Sequence, residues 1–185
     1  ALLEAASRPL PSEAAAAGRA PTDEDDDEDD AQASRDNAVS ALGKLLDAPA
    51  EALAATGAAG ALPAAAVDGN AIAAAFLARL PLRSDLAEAR TSAARLVRLV
   101  ESSDARVLGV GNAGLPAVVR ALAGVVGAAG RAGGAGAASA EPETVARAAA
   151  LLKQMQGALP PAVMSAATQG LRPAEMAALT AALQQ

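Results

Sequence analysis

An all-α fold of helix pairs lying side by side is what this 185-residue sequence predicts, and three observations carry it. Apolar residues recur at helical spacing in a series of stretches punctuated by Pro, Gly and Asp, with no alternating run that would suit a strand. The chain has one Phe and no Trp or Tyr, and its 52% hydrophobic content is inflated by alanine, which buries little area per residue. That composition favours close-packed helices over a β-sandwich or barrel. Finally, phrases with the look of the second helix of a pair begin near residues 35, 85 and 142. Those intervals exceed the 40–47 residues of a two-helix repeat by roughly the length of the low-complexity insertions between them.

The elements follow in order. Residues 1–34 read as a partly disordered segment. A weak helical phrase at Ala1–Ser7 is ended by Pro9 and Pro11, and Ala14–Pro21 lacks any large apolar residue. Next comes Asp23, Glu24, Asp25, Asp26, Asp27, Glu28, Asp29 and Asp30, eight adjacent carboxylates that repel one another and predict a solvated loop. Residues 35–185 read as the helical region. In Arg35–Leu46, RDNAVSALGKLL, a stripe of Ala38, Leu42 and Leu45 is widened by Val39 and Leu46. Gly43 costs about 1 kcal/mol against Ala inside a helix, so its presence predicts close contact with another backbone. Residues 48–70, nearly all Ala and Gly, read as an irregular insertion.

Ala71–Leu82 is a short helix with Ile72, Phe76 and Leu80 on one face, ended by Pro81. Ser84 is set to cap the next helix, with Asp85 and Glu88 in its first turn. Its stripe is Leu86, Ala89, Ala93, Leu96, Val97 and Val100, with Arg95 and Arg98 on a solvated opposite side. Leu115–Val126 is an apolar-rich helix with Asn112 as its expected cap and Pro116 in its first turn. Glu141–Leu159 pairs with it through Val145, Ala149, Leu152, Met155 and Leu159, and Met155 and Met164 read as core fillers. Short helices at Ala162–Thr168 and Pro173–Leu183 finish the chain.

Several function classes fall away. Without Cys or His there are no disulfides, thiol nucleophiles, histidine bases or common zinc ligands, so no cofactor or metal is expected. The formal charge of −6 is concentrated in Asp23–Asp30; the remaining 13 acids face 15 Lys and Arg, which is no nucleic-acid surface. The acidic run lacks the glycine and spaced ligands of a calcium loop, and reads either as a solubilising linker or as a docking strip for a basic partner. The most apolar stretch, Leu115–Gly130, contains Arg120 and is too short to span a membrane. Ala1–Pro21 has some transit-peptide character, against which Glu4 and Glu13 count, and the initial Ala suggests a fragment or processed product.

Gly109–Gly114, GVGNAG, fits the glycine spacing of a dinucleotide loop, yet only three residues stand before it as a possible strand. No acid lies some 20 residues on; an inter-helix loop is the stronger reading.

Arg35–Leu46 also fits R-x-x-A-x-x-A-L-G-x-L, the pattern of the second helix of a HEAT repeat. DNAVSALGKLL (Asp36–Leu46), LPLRSDLAEAR (Leu80–Arg90), LVESSDARVLG (Leu99–Gly109) and LLKQMQGALPP (Leu151–Pro161) together resemble the C-terminal HEAT repeats of importin-β superfamily transport receptors, nearest the importin beta-3 branch. The resemblance covers about Arg35–Leu183. It departs where the family tends to carry Trp, which Phe76 would replace, and in the acidic run and the 48–70 insertion. It implies the closing end of an α-solenoid, a non-catalytic receptor that shuttles between cytoplasm and nucleus. The implied partners are basic cargo such as histones and ribosomal proteins, Phe-Gly nucleoporins, and Ran-GTP through N-terminal repeats that this chain lacks. A HEAT scaffold of another complex is the alternative.

Overall fold

A computed structural model describes residues 23–49, 51–52, 68–129, 139–169, 171 and 173–184; the readings of residues 1–22 and most of 48–70 lie outside them. The fold is all-α, with no strand among the described residues. In chain order the helices are α1 (Asp23–Leu45), α2 (Gly69–Ala78), α3 (Leu86–Glu101), the single turn α4 (Ala105–Leu108), α5 (Leu115–Ala129), α6 (Pro142–Ala158), α7 (Pro161–Thr168) and α8 (Pro173–Gln184).

The acidic run is not a loop. Asp23–Asp30 forms the opening turns of α1, continuous with the apolar half that follows. Acids in the first turn of a helix complement the positive end of its dipole, which opposes the repulsion between neighbouring carboxylates. The capping of α3 also differs from expectation. Asp85, not Ser84, takes the cap, its carboxylate accepting from Ala87 N and Glu88 N at 2.8 and 3.0 Å. Ser84 N instead donates to Asp36 Oδ2. Asn112 does not cap α5: it stands three residues before the helix with φ 65°, inside a 3₁₀ turn at Val110–Asn112.

Directions can be read from bonds between helices. Ser40 meets Glu88, and Asp47 meets Arg95, each 48 residues on, so α1 and α3 run parallel. Arg90 meets Glu141 and Arg147 meets Glu101, so α3 and α6 run parallel as well. Between α1 and α3 the chain returns through α2. Gly69, at the start of α2, lies against the Arg106 side chain, which holds the carbonyls of Leu46 and Ala48 at the end of α1. Past the other end of α2, Arg83 N donates to Asp36 in α1. α5 follows the direction of α2, since Gly124 near its end touches Pro81. The first row of helices is therefore α1, α3, α6, with α2 and α5 running the opposite way beside it.

α5 is the pivot of the packing, in contact with α2, α3, α4, α6, α7 and α8. Its sequence explains this: every residue from Ala121 to Gly127 is buried, and a helix apolar all round belongs inside. The core joins both rows through Val39, Leu42, Leu46, Ile72, Phe76, Leu96, Val97, Leu122 and Leu152. Gly43 is explained differently from the expectation of backbone contact. A Cβ there would lie 2.8 Å from the Phe76 ring and 3.2 Å from Arg95 Cδ, so the missing methyl makes room for two side chains.

Candidate interaction surface

The polar residues of the first row form a ladder between successive helices. At the α1–α3 junction, Asp36 Oδ2 accepts from Arg83 N and Ser84 N at 2.9 and 2.8 Å, fixing the entry to α3. Glu88 accepts from Ser40 Oγ and, at 3.0 Å, from Lys44 Nζ. At the far end, Asp47 accepts from Arg95 Nε at 3.0 Å and Nη2 at 2.9 Å, and also from Arg98. Arg95 is 8% exposed, which corrects the reading of it as part of a solvated face; Arg98 is exposed as expected. Spacing alone cannot separate them, because Arg95 and Arg98 are one turn apart and only the neighbouring helix decides which is covered.

Arg106 closes the same junction. It donates to Leu46 O and Ala48 O, both at 2.8 Å, satisfying carbonyls that the end of α1 leaves open, and pairs with Asp104 at 2.6 Å. At the α3–α6 junction the rungs are Arg90–Glu141 at 3.3 Å and Glu101–Arg147, both more exposed than Arg95.

Four ladder carboxylates titrate below their usual range. Hydrogen bonds from Arg95, then Arg98, lower Asp47 against the opposing effect of burial. A bond from Arg106 lowers Asp104, one from Ser40 followed by one from Lys44 lowers Glu88, and one from Arg147 lowers Glu101. A carboxylate whose folded pKa is depressed stabilises the fold fully above its unfolded value and ceases to do so as pH falls through the folded one. The reference values here are 3.8 and 4.5. Stability should therefore be level from about pH 6 to 8, where a chain without His has no titrating side chain of ordinary pKa, and should fall steeply below about pH 4. Denaturant midpoints across this range check it; a midpoint that changes between pH 6 and 8 would contradict the assignment.

Of the predicted docking strip, Asp23–Asp30, the backbone is helical and Asp30 is exposed; the side chains of Asp23, Glu24, Asp25, Asp26, Asp27, Glu28 and Asp29 lie outside the described residues. Asp36 is level with the entry to α3, so the 13 residues of α1 before it project past that entry by about 20 Å at 1.5 Å per residue.

The loop at Gly109–Gly114 connects two helices. The turn α4 stands where a dinucleotide site would need a strand, and the loop closes on itself through Gly114 N to Leu108 O at 2.7 Å. A Cβ on Gly114 would lie 2.2 Å from Val107 O, so this glycine serves the tight closure.

Among the described residues no group of His, Cys, Asp and Glu is placed to hold a metal ion, and no helix is long and apolar enough to cross a membrane. The chain matches no protein-family model, no curated protein and no solved structure.

Proposed function

We propose that this chain is a non-catalytic scaffold of stacked helix pairs, the C-terminal HEAT-repeat region of a nuclear import receptor of the importin-β type. The observation that supports it best is the recurring register of the ladder. The rungs between α1 and the entry and body of α3 join residues 44–51 apart, at three places 47–48 apart, and the two α3–α6 rungs join residues 46 and 51 apart. Contacts that recur within a few residues of one repeat length are what stacked supersecondary units give, each hiding its neighbour's apolar side. The polar groups in this region are engaged in holding helices together, which suits binding rather than reaction chemistry.

The resemblance supplies the transport reading, with basic cargo and Phe-Gly nucleoporins as partners and shuttling between cytoplasm and nucleus. The projecting, acidic start of α1 is the docking strip for basic cargo, drawing it in by long-range attraction that salt screens. Replacing Asp23–Asp30 by Ser and Gly should weaken binding of a labelled histone-tail peptide by at least tenfold at low salt and flatten its salt dependence. Unchanged affinity at low salt rejects the docking role. Binding of a Phe-Gly repeat segment, without response to NAD or ATP analogues, is expected from the same preparation. Failure of both the basic peptide and the Phe-Gly segment to bind would reject the transport reading while leaving the scaffold intact.

A further inference from the structure

The two later helices of the first row can be aligned on the arginine that each turns toward its predecessor, Arg95 on α3 and Arg147 on α6. Two residues before, two after and six after that arginine stand Ala93, Val97 and Glu101 on α3, and Val145, Ala149 and Lys153 on α6. These offsets fall about 160–240° around the helix from the arginine, on the side turned toward the next helix. On α3 that side is occupied: Ala93 and Val97 are 2% and 0% exposed, and Glu101 holds Arg147. On α6 the same pattern stands partly open. Val145 and Ala149 are half-buried, α8 touches the helix, and Lys153 is exposed with no ion pair among the described residues.

The charge at the end of the pattern is also reversed. The residue six places on is Glu101 in α3, and Asp47 plays the same part at the end of α1; each receives an arginine of the following helix. In α6 it is Lys153. We propose that this side of α6 docks an amphipathic helix of a partner protein, one presenting a carboxylate where α3 and α6 present Arg95 and Arg147. The apolar middle of the face provides contact area, and the lysine selects the sign of the incoming charge. This rests on the repeat reading above and not on the transport role.

A suitable probe is α6 itself, a helix this architecture already seats on such a face. A labelled synthetic peptide of residues 139–160 carrying Arg147→Glu should bind the full chain about fivefold more tightly than the unaltered peptide, the scale of one exposed ion pair. Lys153→Glu in the full chain should invert the preference, and Lys153→Ala should abolish it. Because Lys153 is exposed, both variants should melt as the parent does.

Absence of binding by either peptide, or a preference indifferent to residue 153, overturns the proposal. A double-mutant cycle on Glu101 and Arg147 keeps the repeat reading separate. Coupling there with no peptide discrimination sinks the docking face alone, and no coupling sinks the ladder beneath it.

Discussion

Phe76→Ala should destabilise the protein by about 3–5 kcal/mol, a range set by the lost transfer energy of the ring and the cavity left behind. The upper part of that range is expected for three reasons. Phe76 is 0% exposed and is the largest of the fully buried side chains. Its ring fills the space that Gly43 leaves open on α1, with the stem of Arg95 on the same spot, so α1, α2 and α3 meet around it. The chain has no other aromatic residue to shift into the gap. Alanine-rich helices relax poorly around a void, since their short side chains cannot reach across it. Urea titration followed by circular dichroism should show a lower midpoint with an unchanged slope. A loss below 1 kcal/mol would mean that α2 does not dock on α1 as described.

What could be read from the sequence, and what could not, divides along physical lines. Helices defined by an apolar stripe and a breaker were legible: α3, α5 and α6 begin within a residue or two of their expected positions, because Asp85, Pro116 and Pro142 mark their first turns. Phe76 was placed in the core by spacing alone. The acidic start of α1 was not legible. Charge repulsion argued for a loop, while the competing influence, a helix already nucleated by the apolar half and favoured by acids at its start, depends on a tertiary contact that no local pattern reveals. The reason for Gly43 was missed likewise, since the ring it accommodates lies 33 residues further along the chain.

The polar ladder was nearly invisible for the same cause. Arg95 and Arg98 look alike in sequence, and the carboxylate that both reach, Asp47, lies 48 and 51 residues away on another element. The i, i+3 rule would pair Glu101 with Arg98, yet Glu101 bonds Arg147 on another helix, while Arg98 goes to Asp47. Local pairing rules describe an isolated helix, and here neighbouring helices offer better partners. One signal was available: Asp47, Glu101 and Lys153 stand at the same offset in the three first-row phrases, so aligning those phrases would have exposed a position that is always charged.

Asp47→Ala should cost about 2–3 kcal/mol, less than the 3–5 kcal/mol of a fully buried pair because the Asp47 side chain is 37% exposed. The loss is expected to come from what remains. Arg95 is 8% exposed and its Nη1 has no hydrogen-bond partner among the described residues even with Asp47 present, so removing the carboxylate leaves a covered guanidinium without its ion pair. Arg98, at 58% exposed, can turn to water, and Arg98→Ala should change stability by less than 1 kcal/mol. The contrast gives a decisive control. Arg95→Met keeps an unbranched chain beside Gly43 and removes the charge, so the double variant Asp47→Ala/Arg95→Met should regain more than half of the loss. Denaturant midpoints for the two single variants and the double one decide the matter. If the double variant is as unstable as the sum of the singles, Asp47 stabilises the end of α1 by itself, and the rung to α3 has no energetic role.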